Sequence, residues 1–114
     1  MGHIKHLVLA KFKDGAAVEE LLQGLQNLVS EIDVIKSFEW GEDVLKDERL
    51  GQGFTHAFLL SFGSAEDLAA YIKHPSHVEY GKAFRAAIDK VLAIDFPVVA
   101  KEISAGRKKY ASNI

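Results

Sequence analysis

The chain has no cysteine, and only two prolines, one methionine and one tryptophan among its 114 residues. Without cysteine there is neither a disulfide nor a thiolate metal site, so the fold must rest on its own core. That usage fits a reducing compartment. Charge of one sign is also missing: 14 basic residues against 16 acidic ones leave a formal net charge of −2. Nothing here supplies the strong positive field on which nucleic-acid binding draws. No apolar run approaches the roughly 18 residues of a membrane helix. The start, Met1-Gly2-His3-Ile4-Lys5-His6, lacks the apolar segment of a secretory signal. The expectation is a soluble, cytoplasmic protein that binds neither nucleic acid nor membrane.

What is present is an apolar fraction of 48%, too high for disorder. The length suits one domain. A chain of this size buries roughly 65% of its extended surface, enough for a single core. Ile4 to Lys13 reads as a strand, apolar at Val8 and Ala10 on one parity and at Leu7 and Leu9 on the other. Both of its faces should therefore be covered. Lys13-Asp14-Gly15 reads as a turn. Val18, Leu21, Leu22, Leu25, Leu28, Val29 and Ile32 then recur at helical spacing, with Gly24 weakening that helix by ~1 kcal/mol relative to alanine.

Ile35 to Val44 reads as a second strand, Asp43 to Gly53 as a charged loop and Phe54 to Phe62 as a third strand. On that third strand Phe54, His56, Phe58, Leu60 and Phe62 share one face. Ser64, with Asp67 three residues on, opens the next helix in a capping-box pattern. Its expected apolar stripe is Ala65, Leu68, Ala69 and Ile72. His74-Pro75 breaks it, because a residue before proline avoids helical geometry. Pro75 suits the first turn of a further helix, expected to bury Val78, Phe84, Ala87, Ile88 and Val91. Leu92 to Val99 closes the domain as a strand. The tail from Ser104 to Ile114, with Arg107-Lys108-Lys109, is polar and set apart from a domain over residues 1–103.

The order β-α-β-β-α-α-β is a ferredoxin-like α+β subunit with an antiparallel sheet and helices on one face. The first and third strands are apolar on both parities, so the other sheet face needs a cover. A second copy of the chain is the economical one, giving a homodimeric barrel.

Five stretches stand in an order and spacing that resemble a known family. They are Lys5-His6-Leu7-Val8-Leu9, Phe38-Glu39-Trp40-Gly41, Gly53-Phe54-Thr55-His56-Ala57-Phe58, Tyr71-Ile72-Lys73-His74-Pro75-Ser76-His77-Val78 and Leu92-Ala93-Ile94-Asp95-Phe96. Together they look like the plant stress-response A/B barrel family, over about His3 to Pro97. The resemblance implies a dimeric α+β barrel. It also implies one of two kinds of role: a heat-stable stress or defence protein without catalysis, antimicrobial in some cases, or a polyketide cyclase of the olivetolic acid type. Such a cyclase closes a linear polyketide thioester, delivered by an upstream polyketide synthase, through an intramolecular aldol and retains the carboxylate. By that resemblance Tyr71 and His77 form the catalytic pair, and His6 and His56 help to line the cavity. Leu25 stands where the resemblance leads one to expect a tyrosine, and Leu22 and Ile88 where aromatic residues are expected.

Histidine titrates near neutrality and can take a proton from a carbon between two carbonyls, while a tyrosine hydroxyl can hold the enolate oxygen. The bland alternative is that Tyr71 satisfies its hydroxyl in the core and His77 packs beside Pro75. Leu22, Leu25, Phe58, Phe84 and Ile88 are pocket wall on one reading and ordinary core on the other. Three imidazoles would suit zinc, yet no His-x-His or His-Glu-x-x-His spacing occurs, so neither metal nor cofactor is expected. His74 should be exposed. Asp95 interrupts an apolar strand and either faces solvent at an edge, the reading preferred from sequence, or orients a histidine.

Overall fold

A computed structural model describes residues 3–103. Met1, Gly2 and the expected tail 104–114, with Arg107, Lys108 and Lys109, lie outside the described residues. The elements are β1 (Ile4–Phe12), α1 (Val18–Glu31), β2 (Ile35–Glu42), α2 (Glu48–Gly51), β3 (His56–Phe62), α3 (Ala65–Lys73), α4 (Pro75–Ala87) and β4 (Ile88–Pro97). The four strands form one antiparallel sheet in the order β2-β3-β1-β4. This is the ferredoxin-like arrangement read from the sequence.

The core lies between the sheet and the helices. Ala10 and Phe12 of β1 and Phe58, Leu60 and Phe62 of β3 are buried on the helix side, against Leu25, Leu28, Ile32 and Tyr71. α1 carries Glu19 and Glu20 in its first turn, where the helix dipole favours acidic groups, but has no side-chain cap. Gly24 has a packing reason. A Cβ there would meet Tyr80 Cε1 at 3.1 Å, and the Tyr80 hydroxyl donates to the Leu21 carbonyl at 2.7 Å. The glycine lets α4 approach α1 closely.

α3 starts as expected, the Ser64 hydroxyl accepting from the Asp67 N–H at 3.1 Å. Its buried face differs from the expected stripe. Tyr71 is the buried residue at 3% exposure, whereas Ala65, Ala69 and Ile72 are exposed. A large ring that reaches the core displaced the small alanines from it. His74 takes extended geometry before Pro75 and is not simply exposed: its Nδ1 accepts the Ser76 N–H at 3.1 Å and caps α4.

α4 ends sooner than its apolar pattern suggested. The Lys13 N–H donates to the Ala87 carbonyl, and strand pairing begins at Phe12 with Ile88. Ile88 and Val91 thus belong to β4, and Val78 is 46% exposed. Within the expected loop, Asp47 caps the short helix α2 by accepting from the Arg49 and Leu50 N–H groups.

The second sheet face is bare within the chain. Leu7, Leu9, Ala57 and Leu59 are only half-buried, and Leu92, Ile94 and Phe96 are 45%, 51% and 40% exposed. Among the described residues no helix is long and apolar enough to cross a membrane.

Candidate active site

The break at His74-Pro75 makes the site. It places Tyr71 in the last turn of α3 and His77 in the first turn of α4, with ring centroids 4.4 Å apart. His77 Nδ1 lies 3.1 Å from the Ile72 carbonyl oxygen. That oxygen can only accept, so Nδ1 carries the hydrogen and the neutral ring keeps its lone pair on Nε2. Burial lowers the His77 pKa below its ordinary 6.5. The Ile72 bond opposes the shift, while His6, Arg85 and His74 reinforce it.

Tyr71 also meets the Phe62 ring at 5.3 Å and the His6 ring edge-on at 6.0 Å. Burial raises its pKa well above the ordinary 10, with the Tyr80 phenol adding to the effect, so it stays a neutral hydroxyl. Among the described residues no recorded hydrogen bond engages that hydroxyl, and no fully buried side-chain polar atom lacks a partner. The hydroxyl therefore opens onto free space, in keeping with the place of Tyr71 in a cavity wall.

Register supplies a further pair. β1 and β4 align His6 with Asp95, and His6 Nδ1 donates to the Asp95 carboxylate at 2.5 Å. His6 is nearly buried, while the Asp95 side chain is 46% exposed. The carboxylate thus stays wet and still fixes the imidazole, leaving His6 Nε2 toward the interior. Asp95 orients a histidine, which corrects the preference for an edge residue facing solvent.

These groups border a cavity of about 280 Å³ under the helices. His6, Leu25, Phe58, Tyr71, His77, Phe84 and Ile88 line it, joined by Val8, Tyr80, Arg85 and others not foreseen from sequence. Tyr80 is tied to Leu21, and burial pushes its pKa up to about 12. Two expected members lie elsewhere. His56 shares the sheet face with His6, but it pairs with Ala10 while His6 pairs with Leu60. Four strand residues, about 13 Å, therefore separate the two histidines along the sheet. His56 packs on Phe12 and Phe58, bonds Thr55 and borders a different hollow, of about 530 Å³ beside α2. Leu22 sits one turn before Leu25 and packs at the margin of the core. Among the described residues no group of three or more His, Cys, Asp or Glu side chains could hold a metal ion.

The Stress responsive A/B Barrel Domain profile matches residues 4–98. A stress-response A/B barrel domain-containing protein of Arabidopsis thaliana is 53% identical over 100 residues, covering 88% of this chain and 90% of the relative. Olivetolic acid cyclase of Cannabis sativa is 38% identical over 96 residues, covering 82% and 94%. A crystal structure of an Arabidopsis thaliana protein, 46% identical, superposes with a TM-score of 0.79 over 88% of this chain and 99% of that one. At 22% identity a hydroxynitrile lyase from Passiflora edulis shares the fold, with a TM-score of 0.81 over 90% and 98% of the two chains. So does a dimeric ferredoxin-like protein from Thermobifida fusca, at 20% identity and a TM-score of 0.72 over 85% and 92%.

Proposed function

Since this chain belongs to the stress-responsive A/B barrel domain family, we propose that it is a homodimeric enzyme whose cavity performs acid/base chemistry on a small carbonyl compound. The reaction best suited to its residues is the intramolecular aldol closure of a linear polyketide thioester with the carboxyl group retained. The carrying observation is the contact of Tyr71 with His77 in a cavity wall, the imidazole held so that Nε2 is its free base.

His77 Nε2 takes a proton from a carbon flanked by two carbonyls, and the Tyr71 hydroxyl donates to the enolate oxygen. The enolate carbon bonds to a carbonyl carbon further along the chain, and the new alkoxide takes a proton back. Loss of water aromatises the ring, and hydrolysis of the thioester releases the acid. Such a carbon is already acidic, so a base of ordinary strength serves. General acid/base assistance contributes about 10²–10⁴-fold. Holding a flexible chain folded adds to that. The volume lies just below the usual range for ligand sites, about 300–1,000 Å³, which favours a compact substrate. An upstream polyketide synthase would supply it.

The dimer rests on the apolar face of Leu7, Leu9, Ala57, Leu59, Leu92, Ile94 and Phe96, which the chain itself leaves uncovered. A solved relative of the same fold is described as dimeric. The test of the catalytic reading is co-incubation with a polyketide synthase, measuring aromatic acid with and without this protein. Wild type should raise the yield, and His77→Ala and Tyr71→Phe should each remove most of the gain. Equal yields from all three would end the reading.

One observation favours a second reading. Identity is higher to a protein named for stress response than to the cyclase, 53% against 38%. On that reading the chain is a non-catalytic, heat-stable stress or defence protein, and the dimer is itself the functional object. Unchanged protection of heat-stressed cells by a His77→Ala, Tyr71→Phe double variant would support it.

A further inference from the structure

One face of α4 carries His77, Gly81 and Arg85, spaced four residues apart and therefore stacked along the helix. All three line the 280 Å³ cavity. Side chains lean toward the N-terminus of their helix, and Arg85 does so: a Cβ at Gly81 would lie 3.1 Å from its Nη1. The guanidinium thus lies back over the glycine, about one turn, or 5–6 Å, from the level of His77. A larger residue at position 81 would push it out of that place.

The charge around it is unbalanced. Arg85 is the one permanently charged residue in the cavity lining, and no Asp or Glu belongs to that lining. Asp95 stands behind His6 and is already bonded to it. Among the described residues Arg85 enters no recorded ion pair. Its field nonetheless reaches the site, since Arg85 is among the causes that lower the His77 pKa. A forked guanidinium on a wall with no other permanent charge is suited to a planar oxyanion, which it can bind by two parallel hydrogen bonds.

We propose that Arg85 recognises the carboxylate of a small organic acid, held over Gly81 while the carbon skeleton lies against Tyr71 and His77. The ligand class is an aromatic or β-keto carboxylic acid. This deepens the small-molecule reading of the cavity and rests on it, naming the anionic group by which that site selects. A carboxylate on a small carbon skeleton suits a cavity of about 280 Å³ better than a carrier nucleotide with its phosphates does. Arg85 is itself exposed, so its selectivity should weaken as salt rises.

The test is calorimetric titration of the full chain with salicylate and with phenol, which differ by the carboxylate. Wild type should bind salicylate at least about tenfold more tightly, the value of one charge-assisted hydrogen-bond pair. Arg85→Gln should erase that preference and leave phenol affinity unchanged. Arg85→Lys should keep part of it, and Gly81→Ala should reduce it without touching the charge. A preference that survives in Arg85→Gln, or no salicylate binding by wild type, overturns the inference. Adenosine diphosphate binding more tightly than salicylate in an Arg85-dependent way also overturns it, by assigning the residue to a carrier. Because the readout is binding, it stands apart from catalysis. Loss of cyclisation with Arg85-dependent selectivity intact would sink the cyclase reading alone, and the reverse result would sink only this one.

Discussion

At His77 opposing influences act on one imidazole. Burial and the neighbouring positive charges favour the neutral ring, and the bond to the Ile72 carbonyl favours the protonated one. Burial prevails, so the folded-state pKa lies below 6.5. The catalytic rate should therefore hold level from neutral pH down past 6.5 and fall only beneath the lowered value. A rate–pH profile breaking above 6.5 would contradict this. The sign for stability follows from the same shift. Between the lowered pKa and 6.5 the unfolded chain binds more protons, so stability declines as pH falls through that window. His77→Gln should flatten this decline in urea titrations taken at successive pH values.

The tyrosines shift the other way. Tyr71 and Tyr80 are both raised by burial, Tyr80 to about 12. Their stabilising effect is complete below the unfolded value of 10 and is lost as pH rises beyond it, because the unfolded phenols ionise first. Phenolate absorbance should show neither Tyr71 nor Tyr80 ionising near pH 10 while the fold persists. Tyr71→Phe should make alkaline unfolding less steep. At this scale the sequence, through its family resemblance, pointed to Tyr71 and His77. It leaves Asp95 between solvent and a histidine without saying which histidine, because the pairing of His6 with Asp95 depends on the register between two strands far apart in the chain. Residue type and parity say which face a side chain takes and nothing about how far along the sheet it lies, so His6 and His56 share a face without sharing a cavity.

Among the elements, the contact of α1 with α4 gives the sharpest prediction. An alanine in place of a helical glycine ordinarily gains about 1 kcal/mol. At Gly24 the added carbon would press on a Tyr80 ring held by its bond to Leu21. Gly24→Ala should therefore yield no stabilisation in the wild type and should stabilise a Tyr80→Ala background, a coupling that thermal melts of the four variants would expose. Ser64→Ala should cost about 1 kcal/mol, by removing the cap of the helix that carries Tyr71. The strand and helix periods were strong enough to read most elements. Their ends were not: Ile88 and Val91 continue the helical spacing of α4, yet pairing with β1 draws them into β4. The buried face of α3 departs from its apolar stripe for a similar reason, since Tyr71 reaches the core beneath the helix while Ile72 stays 41% exposed.

The whole molecule carries an asymmetry: one sheet face is covered by helices over most of its width and the other is apolar and open. Ile94, at 51% exposure on that open face and toward the middle of the edge strand β4, is the place to disturb it. Ile94→Glu should convert a dimer of twice 12.6 kDa into a folded monomer, seen by sedimentation. A wild type that sediments as a monomer at micromolar concentration would refute the dimer. Because the cavity lies on the opposite, helix-covered face, the monomeric variant should keep the Tyr71–His77 contact.

The claim on which the functional account turns is that His77 removes a proton from a carbon acid, and hydrogen exchange reads that step without requiring the natural substrate. An acetoacetyl thioester in deuterated buffer, followed by proton magnetic resonance, reports loss of the signal of the methylene between its carbonyls. Wild type should accelerate that loss at least about 10²-fold over buffer, with Tyr71→Phe intermediate and His77→Ala near background. Exchange equally fast with wild type and His77→Ala would contradict the account.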